Sequence, residues 1–539
     1  MRAHEDGFRD QINPQLLFSA GFPMADDTVV TEPGKAQPEA ASVVESTLFV
    51  NKNVSLTLSP QSLIILANDS AKKSDKKSAK AAGASRRSVT LDTAAYSEPV
   101  GGSNARAIPL QNILWAELTE NEFIIHYAKE VSKPIVQASM LKYQVEERDR
   151  AESWIGKLLE RAYGKSQLRK RVKVLVNPKS GKGAAEKIYT RDVEPIFDAA
   201  RCEIDFTITK HQGEAIDIAE AIDVDAFDVI VCCSGDGLPH EVFNGLAKRK
   251  DATKALSKIA VVQIPCGSGN AMHCNSNGNI NSPSIAALST VKGIRTPLDL
   301  ISITQGNTRL ISFLSQALGI VAEFDLATEH LRWMGGTARF TYGFLVRALQ
   351  KKVYPCDLAV KVIKGDKEEI KDIFREEVNR KNVEAESGRD LQNTVEGLPP
   401  LRYGTINDEL PGDWEVVSDD KMSSFYCGNM SWMATDVNYF AAALPNDGCM
   451  DLVTIGGDIG RVSALALLPA VESGKFYGLP HVSYRKIAGY RIIPRNQEDG
   501  YISIDGERVP FAPFQAEIHK GLGTILTKTG HVFESPGPQ

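Results

Sequence analysis

Several things this chain of 539 residues lacks narrow what it can be. No apolar run approaches the roughly 18 to 20 residues that cross a bilayer. The longest, such as Val462 to Val471, is far shorter, so any membrane association is expected to be peripheral. Met1 to Gln11 is charged and has no apolar h-region, which is not the pattern of a secretory signal. A net charge of −6 gives no general attraction to nucleic acid. The 8 cysteines, including the adjacent pair Cys232 and Cys233, lack the spacing of a disulfide framework or a zinc site. They are expected to be reduced thiols in an intracellular protein.

What is present is an ordinary globular balance, 42% apolar and 24% charged, in a chain long enough for about three domains. Residues 1–43 mix Pro, Ala, Asp and Glu with few periodic apolar positions and are expected to form a disordered leader. Residues 44–165 carry short strand-like runs at Leu48, Val54, Ser62, Ile113 and Glu122, then a helix from Glu147 to Tyr163 with Trp154, Leu158 and Leu159 on one face. That order resembles a pleckstrin-homology-like domain. Its basic loop, 71–87, contains Lys72, Lys73, Lys76, Lys77, Lys80, Arg86 and Arg87 and suits either a solvated loop or a patch for anionic lipid.

From Arg171 the pattern becomes alternating strand and helix, predicting a parallel α/β domain over 170–296. Its strands are expected at Val172–Asn177, Phe206–Thr209, Asp228–Cys233 and Ile259–Ile264, and its helices at Ala184–Ala199, Glu214–Ile222 and Leu238–Lys248. Over 297–530 the spacing predicts an antiparallel, β-rich lobe interrupted by a charged, disordered insertion at 364–420, part of which could be helical. The fold class is thus α/β and two-lobed, preceded by a small β domain.

Three strand ends each deliver a small-residue turn: Asn177-Pro-Lys-Ser-Gly-Lys-Gly, Ser234-Gly-Asp-Gly and Pro265-Cys-Gly-Ser-Gly-Asn. Glycines at the carboxyl ends of parallel strands let backbone N–H groups approach phosphate, so the three together predict one nucleotide-sized cleft. The first turn is not a Walker loop, because Gly183 follows Lys182 where Ser or Thr would be needed, and no Rossmann glycine spacing follows. Asp236, between two glycines, would project a carboxylate into the cleft, where it could orient and deprotonate an attacking hydroxyl. The competing reading makes Asp236 the N-cap of Leu238–Lys248.

These three turns, with Ala322-Glu-Phe-Asp-Leu-Ala-Thr-Glu-His-Leu-Arg, Asp447-Gly-Cys-Met-Asp-Leu and Ile504-Asp-Gly-Glu, resemble the catalytic domain of diacylglycerol kinases and sphingosine kinases, in the sphingoid-base branch. The resemblance runs from about Arg171 to Thr527. It implies ATP-dependent phosphorylation of the primary hydroxyl of sphingosine, sphinganine or phytosphingosine, with Mg2+, and a lipid-binding role for 297–530. Asp236 would be the base. Asn177, Ser180, Gly181, Lys182, Gly183, Thr209, Ser234, Gly235, Gly237, Gly267, Ser268, Gly269 and Asn270 would surround ATP, with Arg332 and Arg339 on the donor phosphates, Glu507 holding the nucleotide and Asp505 near magnesium. Asp325 and Ser315 would bind the polar head. Phe313, Leu314, Leu318, Ile320, Phe340, Phe344, Leu345 and Leu349 could line a tail tunnel, or be plain core. The spacing from Arg332 to Arg339 is one residue longer than the usual pattern, and Cys266 stands where a small apolar residue is common.

A cytoplasmic enzyme meeting intracellular membranes at their surface follows from this resemblance. Ceramide kinase and diacylglycerol kinase remain alternatives. An enzyme like NAD kinase, with its own acidic glycine turn, and a catalytically silent lipid-binding scaffold are weaker ones.

Overall fold

The computed structural model describes residues 47–67 except 52 and 53, 105–327 except 121 and 146, 353–380, 396–456, and 460–539 except 461–465, 468, 472 and 473. The leader 1–43, the basic loop 71–87, Arg332, Arg339, Phe340, Phe344, Leu345 and Leu349 lie outside the described residues.

The small β region consists of two antiparallel sheets. One has four strands, Thr47–Asn51, Val54–Leu58, Ser62–Ala67 and Ala105–Pro109; the other has three, Ile113–Leu118, Phe123–Ser132 and Ile135–Tyr143. The helix Arg148–Tyr163 follows and buries Ala151, Trp154, Leu158, Leu159, Ala162 and Tyr163, as an apolar stripe at helical spacing should. This region is joined to the α/β unit by shared core and by buried polar contacts. The Val136 N–H donates to Ser284 Oγ at 3.1 Å, and Lys292 Nζ donates to the Ala162 carbonyl at 3.0 Å while lying 3.4 Å from the Tyr163 ring centre.

The α/β unit is a four-stranded, all-parallel sheet in the order Ala260–Pro265, Val229–Ser234, Arg171–Val176, Glu203–Ile208. Val229–Ser234 and Ala260–Pro265 are buried along their whole length, which explains their near-continuous apolar sequences. The strand order reverses between Arg171–Val176 and Val229–Ser234. The crevice outside the carboxyl ends at such a switch point is where open α/β sheets take ligands, and the first two glycine turns flank it.

The second lobe is built on an eleven-stranded sheet. Ser315–Gly319 pairs with Met422–Gly428 on one side and Ile502–Ile504 on the other, both antiparallel. Its two faces support different cores. Phe313, Leu314, Ala317, Tyr426 and Phe440 belong to one apolar cluster, whereas Leu318, Phe425, Cys427, Ile502 and Ile504 belong to another. The alternation of a strand thus separates Leu318 from Phe313 and Leu314.

The disordered insertion expected at 364–420 is corrected over most of its length. Lys367–Asn379 is a helix whose N-cap Asp366 accepts from the Glu369 N–H at 2.9 Å, and it buries Ile370 and Phe374. Its charged residues lie on the outer face of an amphipathic helix, a periodicity hidden by the high overall charge. Residues 396–420 also hold structure: Glu517 accepts the N–H groups of Arg402 and Tyr403 at 2.8 and 2.9 Å, and Glu415–Asp419 pairs with Cys356–Lys364. Only 381–395 of that span lies outside the described residues. All eight cysteines are free thiols, and among the described residues no helix is long and apolar enough to cross a membrane.

Candidate functional site

The three glycine turns touch one another. A Cβ on Gly267 would collide with the backbone of Gly235, and one on Gly181 with the Cys266 carbonyl. Glycine is therefore required at both positions for the turns to meet, and Gly181 also has φ +57°. Ser180 Oγ accepts the Gly235 N–H at 3.0 Å, tying the first turn to the second. The third turn is closed by Asn270, whose Oδ1 accepts from the Gly267 N–H and whose Nδ2 donates to the Gly267 carbonyl, both at 2.9 Å. Thr209 ends the edge strand beside them, with its N–H on the Val176 carbonyl at 2.9 Å.

Asp236 stands where the second and third turns meet. Its Oδ2 accepts the Ala271 N–H at 3.0 Å, and its Oδ1 accepts the Met272 N–H and Gln263 Nε2, both at 3.2 Å. The carboxylate does not cap the helix that follows it, Gly237–Ala247, which has no side-chain cap bond. It sits instead at the start of the neighbouring helix, Ala271–Asn277. The N-cap reading is corrected to this extent: the acceptor role exists, but for a helix brought alongside by the sheet. Burial pushes the Asp236 pKa above the ordinary carboxylate value, against the pull of these three donors, and the charge of Asp505 adds to the rise.

Four residues that the sequence reading did not single out complete this site. Gln263 is the only polar side chain in the strand Ala260–Pro265; its amide holds Asp236, while its Oε1 accepts from the His273 N–H at 2.8 Å. His240 lies one helical turn beyond Asp236, and its Nδ1 donates to Asp505 Oδ2 at 2.8 Å. Ser312 and Tyr426 come from the second lobe. A lone polar residue in a buried strand and an i, i+4 partner of the acid were available signals for the first two. Nothing local marks the others.

Asp505 has a left-handed backbone, φ 52°, in the turn before Gly506. Its Oδ1 accepts from Ser312 Oγ at 2.5 Å, the Leu314 N–H at 3.0 Å and the Ser315 N–H at 2.9 Å. Its Oδ2 accepts from the Phe313 N–H at 3.1 Å as well as from His240. Five donors occupy the roughly four lone-pair sites of a carboxylate, so Asp505 does not fit the direct magnesium-ligand role implied for it. It organises the Ser312–Ser315 turn. Among the described residues no group of three or more His, Cys, Asp or Glu side chains is arranged to hold a metal ion.

The second lobe closes over the turns. Glu507 Oε1 lies 3.4 Å from where a Cβ on Gly237 would stand, and Glu507 Oε2 accepts from Gln212 Nε2 at 3.4 Å. Asn244, one turn beyond His240, exchanges hydrogen bonds with the backbone of Ile311 at 2.8 and 2.9 Å. Ser315 is buried, and its hydroxyl is hydrogen-bonded to the Tyr426 phenol. Asp325, at the end of the helix Ile320–Ala327, accepts from Ser503 Oγ at 3.0 Å. Asp505, Glu507 and Asp325 of the second lobe thus lie beside the helix and turns around Asp236, while Arg332 and Arg339 are outside the described residues.

Residues 171–303 match the diacylglycerol kinase catalytic domain, and residues 46–164 match a domain of unknown function. Sphingoid long chain base kinase 4 of Schizosaccharomyces pombe is 33% identical over 445 residues, covering 82% of this chain and 92% of that protein. The chain belongs to the sphingoid long-chain-base kinase family. Sphingoid long chain base kinase 5 of Saccharomyces cerevisiae is 34% identical over 433 residues, and the match spans 71% of this chain but only 62% of that relative's length. Human sphingosine kinase 1 is 29% identical over 366 residues, 65% of this chain and 88% of its own. A diacylglycerol kinase structure from Bacillus anthracis aligns with a TM-score of 0.46 at 16% identity, covering 66% of this chain and 97% of that one.

Proposed function

We propose that this member of the family transfers the γ-phosphoryl group of ATP to the primary hydroxyl of a sphingoid long-chain base. The observation that carries the reading is Asp236: a carboxylate with a raised pKa, at the junction of three glycine turns, at the switch point of a parallel sheet. With the Gly235 and Gly267 N–H groups taken by Ser180 and Asn270, phosphate oxygens would be received by other N–H groups of the turns. The ionised carboxylate would orient the acceptor hydroxyl and take its proton as the oxygen attacks phosphorus. Such positioned base catalysis contributes roughly 100- to 10,000-fold. ATP would bring magnesium on its phosphates, and the five donors already on Asp505 speak against a direct bond from it to the ion.

The polar head of the acceptor is assigned to Asp325 and Ser315. A cationic ammonium beside Asp325 suits a sphingoid base better than the neutral heads of ceramide or diacylglycerol, because a partly buried carboxylate is stabilised by a cation. Incubation with labelled ATP and sphinganine, ceramide or diacylglycerol in parallel tests this. Product from sphinganine, lost in Asp236→Asn, is expected, and product from ceramide alone would overturn the assignment. We also propose that the β region meets anionic membrane through the basic loop 71–87. Sedimentation with phosphatidylserine vesicles should fall when its seven cationic residues are replaced by Ala; unchanged binding would refute that role.

A further inference from the structure

Ala317 pairs with Tyr426 on one neighbouring strand and with Ser503 on the other, so the three side chains form a row across the face of the second sheet. Ser315 is two residues away on the same face. The small methyl of Ala317 therefore lies among polar side chains: the Tyr426 phenol, Ser315, Ser503, and the Asp325 carboxylate that Ser503 holds at 3.0 Å. Past the phenol the wall turns aromatic. The Tyr426 ring centre lies 4.9 Å from those of both Tyr439 and Phe440, and Tyr439 continues to Phe476 at 4.5 Å. Phe440 can come so close because Gly428, opposite Ser315, has no Cβ to collide with its ring.

An acceptor with its primary hydroxyl at Asp236 and its amine at Asp325 would run its tail past Tyr426 toward these rings. Tyr426 marks the place where polar wall gives way to apolar wall. Burial, followed by the charges of Asp325, Asp505 and Asp236, raises its pKa, so the phenol stays neutral. A neutral phenol has one proton to give and lone pairs to accept with, so one bond to Ser315 leaves it capacity for a ligand hydroxyl. A wholly aromatic wall would penalise a hydroxyl at the start of the tail by stripping its water without replacement. A phenol reverses that preference.

We propose that Tyr426 is a specificity-determining residue that recognises a hydroxyl on the first tail carbon, so that 4-hydroxylated sphingoid bases are the favoured acceptors. The proposal rests on the sphingoid-base reading above. It is tested by measuring kcat/KM for 4-hydroxysphinganine and sphinganine in the wild-type chain and in Tyr426→Phe, with thermal midpoints of both. The wild type should favour the hydroxylated base, and the ratio should fall about fivefold in the variant, the effect of one neutral hydrogen bond. Equal losses on both bases would make Tyr426 a support for Ser315 and overturn the proposal, as would an unchanged ratio. A wild-type preference for sphinganine would overturn it even if the variant failed to fold. No product from either base would instead remove the kinase reading beneath it.

Discussion

Asp236 closes a strand of the parallel sheet and Asp505 sits in a turn of the antiparallel one, and their surroundings differ in kind. Asp236 takes three hydrogen bonds at 3.0 to 3.2 Å and is held with a raised pKa beside the crevice. Asp505 takes five at 2.5 to 3.1 Å and is only 3% exposed. An incompletely satisfied carboxylate can change its proton state and meet a substrate; a saturated one fixes backbone. On the function proposed above, the same residue type serves chemistry in one lobe and architecture in the other. His240 and Asn244 then bind the two lobes, tying the helix that follows Asp236 to Asp505 and Ile311 of the second.

The comparison predicts opposite outcomes for the same substitution. Asp236→Asn should lower kcat/KM by at least about 100-fold, the lower range for loss of a positioned base. Stability should be kept or slightly raised, because burial of the charged form works against folding at neutral pH. The acid limb of the wild-type pH–rate profile should lie above the ordinary Asp value of about 3.9, since the base must be ionised to act. A folded Asp236→Asn enzyme of near-normal turnover would break the contrast by removing the chemical role.

Asp505→Asn should act on stability first. Asn accepts the left-handed backbone that position 505 requires, so the variant tests the carboxylate and not the turn. Its amide nitrogen would face donors where an acceptor is needed. With charged-group hydrogen bonds worth about 1.5 to 3 kcal/mol each, a loss of roughly 2 to 4 kcal/mol in urea unfolding is expected. A variant as stable as wild type but inactive would return Asp505 to the reaction, and with it a direct metal role.

What was legible in the sequence follows the same divide. The three turns could be read because each is a short motif at the end of an apolar strand, and parallel strands present all such ends on one edge. Gln263 was legible in principle as one polar residue in AVVQIP. Tyr426 was not: Ala317, Ser503 and Asp325 are all far from it in the chain, and Ala317 and Ser503 arrive by antiparallel pairing. The saturation of Asp505 was equally hidden, because its donors come from 240 and 312–315. The helix Lys367–Asn379 was masked by composition, although Asp366 and Glu369 stand at capping distance in the sequence.

The smallest expected effect lies at the link between the lobes. Burial pulls the His240 pKa down, but the hydrogen bond and charge of Asp505, helped by Glu507 and Glu241, outweigh it and raise the pKa above 6.5. A group whose pKa is raised on folding contributes stability that is complete below the unfolded value and disappears as pH climbs through the folded one. Asn244 Nδ2 lies 3.4 Å from His240 Nε2, but its shorter bonds are to the carbonyls of His240 and Ile311 at 2.9 and 2.8 Å. His240→Gln would keep a donor near Asp505 but lose the charge. The expected cost is about 1 kcal/mol, the difference between a charged and a neutral hydrogen bond. Unfolding followed from pH 6 to pH 9 should show that difference largest at the acid end and shrinking upward. A difference that grows with pH would mean that neutral imidazole is the stabilising form, and that the lobes are joined by shape and the Asn244 bonds, with no ion pair at Asp505.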